Sequence, residues 1–149
     1  MIYSIAKEIA CGLSYLHKRG IHGDIKSRNI LLTNSYGAKI SDFGSYRFNR
    51  LSIISTPNSM PPSKSNFGTL RWKAPELLKG EKNTRASDVY SMGMIYWELL
   101  TRKIPYAESD DGQVLLWIQK YEGEDIPDKC KSYYPQYCRL IADCFTAIP

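Results

Sequence analysis

The stretch VYSMGMIYWELL, Val89 to Leu100, constrains the fold more than any other part of the chain. Wound as a helix it is apolar on nearly every side, and a helix without a polar face belongs in the middle of a domain. A bilayer would need about 20 such residues. This run has twelve and includes Glu98, so the reading is a buried core helix, with no membrane span. Such a helix has to be covered all round. At 149 residues the chain is one ordinary domain, or part of a larger one, and can supply that cover.

The covering elements are legible on either side. Ile2, Ile5, Ile9, Leu13 and Leu16 recur at spacings of three and four, which puts them on one helical face. Lys18, Arg19 and Gly20 follow as a basic last turn and a glycine stop, so the first twenty residues are expected to form one helix. Cys11 falls inside this pattern and reads as a small core residue. Next, Ile30 and Leu32 alternate with Leu31, and Ala38 and Ile40 alternate with Lys39, around the turn-forming TNSYG. That predicts a β-hairpin of two short strands. Beyond the central helix, GQVLLWIQKYE reads as a shorter amphipathic helix. PQYCRLIADCF reads as another, with Pro135 at its first position and Cys138, Ile141, Cys144 and Phe145 sharing a face. Residues 45–66 hold three prolines, many serines and no periodicity. Long loops of this kind in compact domains are usually functional or mobile, and a surface insertion is the plain alternative.

Charge and cysteine usage narrow the function classes. Twenty basic residues against fifteen acidic give a net charge of +5, but the basic residues are spread along the chain with no run of five. A solvated basic surface accounts for that better than a nucleic-acid stripe, and no nucleic-acid recognition motif is present. The four cysteines have no C-x-x-C pair and are accompanied by two histidines, so no zinc pattern arises. With no signal peptide at the start, reduced thiols and an intracellular, cytoplasmic setting are expected.

Chemistry enters at HGDIKSRN, His22 to Asn29. It supplies H-x-D-I-K-x-x-N. D-F-G follows at Asp42 to Gly44, then G-T-L-R-W-K-A-P-E at Gly68 to Glu76, then S-D-V-Y-S-M-G-M at Ser87 to Met94. At about 5% usage per residue a given tripeptide arises by chance roughly once in 8,000 positions, so D-F-G alone would carry little. The signatures in this order, each on its fitting element, resemble the C-terminal lobe of a eukaryotic-type protein kinase, with its catalytic loop, metal loop and activation segment. Taken singly, Asp24 could be a turn residue, Lys26 solvated surface, Asn29 a cap and Asp42 a strand terminator. Their co-occurrence demotes those readings.

The resemblance implies a mainly α fold with a small β-hairpin, the N-terminal β-lobe of a kinase being absent. Within a partial kinase domain spanning residues 1–149, it sets the catalytic loop at 22–29, the metal loop at 42–44, the activation segment at 42–76 and a helical subdomain at 77–149. It implies transfer of phosphate from ATP, with Mg²⁺, to serine or threonine hydroxyls of a protein substrate. Asp24 would take the hydroxyl proton, and Lys26 would set a cation against the γ-phosphate. Asn29 and Asp42 would supply hard oxygens to Mg²⁺, and Leu31 would form the floor beneath the adenine. By the same resemblance His22 and Phe43 would join the metal loop to the core. Asp88, a good N-cap candidate on local grounds, would anchor the catalytic-loop backbone, and Thr69 would bond near Asp24 and Lys26. Lysine two residues after the aspartate, with G-T before R-W-K-A-P-E, resembles the serine/threonine-specific pattern more than the tyrosine-specific one.

Two departures from the pattern alter the expectations. Gly23 stands where most family members have an arginine that pairs with a phosphate on the activation segment. Phosphorylation of Ser52, Ser55, Thr56 or Ser65 is therefore expected to leave activity nearly unchanged. No G-x-G-x-x-G occurs, so a glycine-rich phosphate cover is expected from the rest of a longer chain. The arginine that would pair with Glu76 is likewise expected beyond Pro149, unless Arg139 or water substitutes. The alternative function is a catalytically incompetent, kinase-like module that binds protein partners.

Overall fold

The computed structural model describes residues 1–45, 47–48, 69–120 and 124–146. The serine- and proline-rich segment, with Ser52, Ser55, Thr56 and Ser65, lies outside the described residues, as does most of the expected activation segment at 42–76.

Helix α3 (Arg85–Thr101) runs through the centre. Every residue from Tyr90 to Trp97 is buried, as its mostly apolar composition requires, and the one small polar residue, Ser91, is hydrogen-bonded. It opens with a reciprocal capping box in which the Thr84 side chain accepts from the Ser87 backbone N–H and Ser87 returns a bond to the Thr84 backbone N–H. Thr84 is therefore the N-cap, and Asp88 lies one turn inside the helix. The local reading of Asp88 as a cap is corrected: a threonine four residues earlier already satisfies the orphan donors, which releases the carboxylate for other partners.

Helix α1 (Ile2–His17) lays Ile5, Ala6, Ile9 and Leu13 against α3 and the hairpin. The Tyr96 hydroxyl donates to the Ala6 carbonyl at 2.8 Å, fastening the two helices deep in the core. Cys11 is exposed, against expectation. It follows Ile9 by two residues, about 200° round the helix, and so points away from the apolar stripe. The helix also stops without a glycine cap, since Lys18 is right-handed at the C-cap and Gly20 opens the next strand.

Helix α6 (Pro135–Phe145) buries Tyr137, Cys138, Ile141 and Cys144 and packs against α3. The approach is close because Gly93 has no side chain: a Cβ there would sit 2.6 Å from the Cys144 Cβ and 3.0 Å from Phe145 Cε1. Between them, α2 (Pro75–Leu78), α4 (Asp111–Gln119) and α5 (Asp128–Tyr133) complete a mainly α domain. The short α5 carries no helical periodicity and was not anticipated.

Strands are few and short. β2 (Ile30–Leu32) and β3 (Ala38–Ile40) form the expected antiparallel hairpin, with Ile30 opposite Ile40 and Leu32 opposite Ala38. Ile30, Ala38 and Ile40 pack on the core, but Leu32 is more than half exposed, because α1 packs chiefly on β3 and leaves the end of β2 at the outer edge. A second pairing joins β1 (Gly20–Ile21) to β4 (Arg47–Phe48), antiparallel. It draws the chain after the hairpin back beside the entrance to the HGDIKSRN loop.

Candidate active site

The loop between β1 and β2 is held from below by α3. Both carboxylate oxygens of Asp88, which is 2% exposed, face its backbone: the His22 N–H donates to Oδ2 and the Gly23 N–H to Oδ1, each at 2.8 Å. His17 Nε2 reaches the same Oδ2 at 3.0 Å. A buried carboxylate needs partners of this kind, and here they come from residues more than 60 positions earlier in the chain.

His22 is fully buried and its two ring nitrogens have opposite duties. Nδ1 accepts from the Asp24 N–H at 3.3 Å and Nε2 donates to the Ser41 carbonyl at 3.2 Å. That pair of partners defines the neutral Nε2–H tautomer. The ring lies 5.6 Å from that of Phe43, tilted by 57°, so the loop is tied to the D-F-G segment by ring contact and, next to it at Ser41, by hydrogen bonding. Gly23 sits at φ +78°, a left-handed backbone that an L side chain adopts at a cost. A Cβ there would come within 3.1 Å of the Asn83 Nδ2 and 3.5 Å of the Ser45 carbonyl.

These ties set three polar side chains on one another. Lys26 Nζ donates to Asp24 Oδ2 at 2.7 Å and to Thr69 Oγ1 at 3.1 Å. Asn29 Nδ2 donates to the Asp24 carbonyl at 2.8 Å and reaches Asp24 Oδ2 at 3.4 Å. With its nitrogen committed, the buried Asn29 amide leaves its oxygen for a cation or a donor. Asp24 and Lys26 open onto a hollow of about 470 Å³, whose far side is built from Thr69, Lys73, Glu81 and Asn83. Sequence reasoning missed the last three. Nothing in their spacing relative to the loop marks them, because they come from the segments on either side of α2, which packing brings across the loop.

Asp42 and Leu31 stand apart from this cluster. The Asp42 carboxylate is exposed at a left-handed residue, φ +64°, and accepts from the Gly44 N–H of its own turn at 3.3 Å. Its link to the others runs through the backbone, where the N–H and hydroxyl of Ser41 both donate to the Asn29 carbonyl. Leu31 is 56% exposed, on the hairpin. Neither lines the hollow.

The segment before α2 locks the floor. Trp72 Nε1 donates to Glu98 Oε2 at 2.7 Å, and the Ser91 hydroxyl donates to the Trp72 carbonyl at 2.7 Å. Burial pushes the Glu98 carboxyl above its usual range, against the opposing pull of hydrogen bonds from Trp72 and Ser27. Arg71 spans to the loop after α3, donating to the Pro105, Tyr106 and Ser109 carbonyls. Glu76 is buried, and its Oε2 has no hydrogen-bond partner among the described residues. Arg139 is exposed and makes no bond to it.

The family described as protein tyrosine and serine/threonine kinase matches residues 1–149. The chain belongs to the protein kinase family. It is similar to the serine/threonine-protein kinase CTR1 of Arabidopsis thaliana, at 37% identity over 98% of this chain and 17% of that protein. The serine/threonine/tyrosine-protein kinase HT1 of the same organism is 35% identical over 99% of this chain and 36% of its own length. A probable serine/threonine-protein kinase of Dictyostelium discoideum, drkD, is 37% identical over 95% of this chain and 10% of its own length. The kinase chain thus spans well under half the length of these relatives. No helix among its described residues is long and apolar enough to cross a membrane.

Proposed function

We propose that this chain is the catalytic-loop portion of a protein kinase that transfers the terminal phosphoryl group of ATP to serine or threonine hydroxyls of a protein, acting with sequence outside these residues. The observation that carries the proposal is the joint hold on Asp24. Its Oδ2 accepts from Lys26 at 2.7 Å, at the edge of a hollow with room for a substrate hydroxyl. In this role Asp24 orients the hydroxyl and takes its proton. Lys26, kept beside it by Thr69, offsets the negative charge that spreads over the phosphoryl oxygens during transfer. The Asn29 amide oxygen and the Asp42 carboxylate are hard oxygen donors of the kind Mg²⁺ takes, and these two residues would hold it. Bound there, the ion would neutralise phosphate charge. Leu31 is proposed for the adenine side of the nucleotide. The pairing of Lys26 with Thr69 and the serine/threonine kinases among the relatives favour serine and threonine as acceptors.

A second reading, a kinase-like module that binds partners without transfer, draws on the exposure of Leu31 and Asp42 outside the hollow. One substitution separates the two. In the longest available form of the protein, Asp24→Asn is expected to lower phosphate transfer by about 10²- to 10⁴-fold, the range for a lost acid–base group, while nucleotide affinity stays within about twofold. Transfer retained in that variant would remove Asp24 from the base role. Wild-type protein that binds partners but neither nucleotide nor phosphate acceptor would favour the module.

A further inference from the structure

On the side of α3 that faces α4 lies a second concavity, of about 310 Å³. Trp97 and Tyr106, each 4% exposed, form its base, and Trp117 stands at its wall with 39% of its surface open. The Tyr106 and Trp117 rings are 6.1 Å apart and tilted by 39°. The base is pinned before any ligand arrives. Trp97 Nε1 donates to the Asp125 carbonyl at 3.0 Å, the Glu124 carboxylate accepts the Tyr106 N–H, and Arg71 holds the Tyr106 carbonyl from beneath. A preformed groove of this kind loses little conformational freedom when filled.

Its charge runs against that of the chain. The whole molecule carries +5, yet among the described residues the groove is lined by three carboxylates, Glu108, Glu124 and Asp125, against one ammonium, Lys103. Glu124 is occupied with the Tyr106 backbone. Glu108 and Asp125 are exposed, although Asp125 feels the charge of Lys131 on α5. A part-exposed indole in one groove with exposed carboxylates attracts one kind of group, a cation on an apolar stem. An arginine or lysine can stack on the ring and pair with the acid at once.

We propose that this groove docks a basic segment of a protein partner, seating an arginine or lysine side chain on Trp117 between Glu108 and Asp125. The site is separate from the hollow at Asp24, and occupancy is measured without phosphate transfer.

The test is a fluorescence anisotropy titration of the intact protein with a short labelled peptide alternating arginine and leucine. Saturable binding that weakens with added salt is expected. The double variant Glu108→Lys, Asp125→Lys should weaken it at least about tenfold, since two exposed pairs at up to ~1 kcal/mol each are replaced by repulsion. Trp117→Ala should weaken it about three- to fivefold, the share of an exposed cation–π contact. Asp143→Lys, an exposed acid on α6, should leave it unchanged, and circular dichroism checks that each variant is folded. The proposal is overturned by absence of saturable binding, by equal binding of a glutamate–leucine peptide, or by affinity that survives the double charge reversal. Concentration-dependent dimerisation abolished by that reversal would overturn it too, assigning the groove to a second copy of the chain.

Discussion

Replacing Asp88 with asparagine changes almost no volume and removes one acceptor, which makes it a clean test of how the HGDIKSRN loop is held. In the native protein two backbone N–H groups, from His22 and Gly23, each point at a different carboxylate oxygen at 2.8 Å. An asparagine offers one oxygen and one NH₂, so whichever way it turns, one of those N–H groups meets another donor. The site is 2% exposed, and water is poorly placed to repair the mismatch. A hydrogen bond to a charged group contributes about 1.5–3 kcal/mol, and the surviving bond weakens when its acceptor becomes neutral. The lower cost of burying a neutral side chain offsets part of this, leaving a loss of about 2–4 kcal/mol. For a chain of this size ~1 kcal/mol moves Tm by about 2–4 °C, so Asp88→Asn should lower it by about 4–16 °C in a circular dichroism melt. Amide exchange at His22 and Gly23 should accelerate more than exchange in α6. A Tm within about 2 °C of wild type, with both amides still protected, would refute the reasoning.

Two other sites give independent tests. Gly93→Ala puts a methyl 2.6 Å from the Cys144 Cβ, and because that atom belongs to a packed helix it cannot swing away. Overpacking of about 1–3 kcal/mol should outweigh the gain in helix propensity, and urea denaturation should give a lower midpoint with an unchanged slope. At Glu98 burial raises the carboxyl value in the fold above its unfolded value. The fold therefore disfavours the ionised form, with the full penalty above the folded value and none below the unfolded one. As pH falls from neutral toward about 4.5, wild type should gain stability relative to Glu98→Gln. A Tm difference that does not vary with pH would contradict this.

The elements that the sequence announced are those whose pattern repeats over many residues. Ile5, Ile9 and Leu13 mark the inner face of α1, and the unbroken run from Tyr90 to Trp97 marks α3 as central. Single positions fared worse. Cys11 lies within an amphipathic stretch but on its wrong side, and Asp88 looked like a cap until Thr84 took that role. β1 and β4 pair through two residues each, Gly20 with Phe48 and Ile21 with Arg47; strands that short leave no periodicity to read. At the site the same distinction holds. Asp24, Lys26 and Asn29 share one loop and meet within it, so short offsets were enough to find them. Lys73, Glu81 and Asn83 reach the hollow through tertiary packing, and the aromatic groove joins α3, α4 and two connecting segments that no local motif links.

Gly23 follows from the way the loop is held. Its N–H must reach Asp88 while the next residue turns its carboxylate toward Lys26, and the backbone meets both demands at φ +78°. A side chain at this position would bear strain of about 1–3 kcal/mol and press on Asn83. The strain would have to be offset by contacts made farther along that side chain, such as an arginine paired with a phosphate. Glycine removes the strain and the need for the compensating contact together. Asp88, His17 and the His22 ring then hold the loop from the core. On this account the HGDIKSRN loop is ordered by the core.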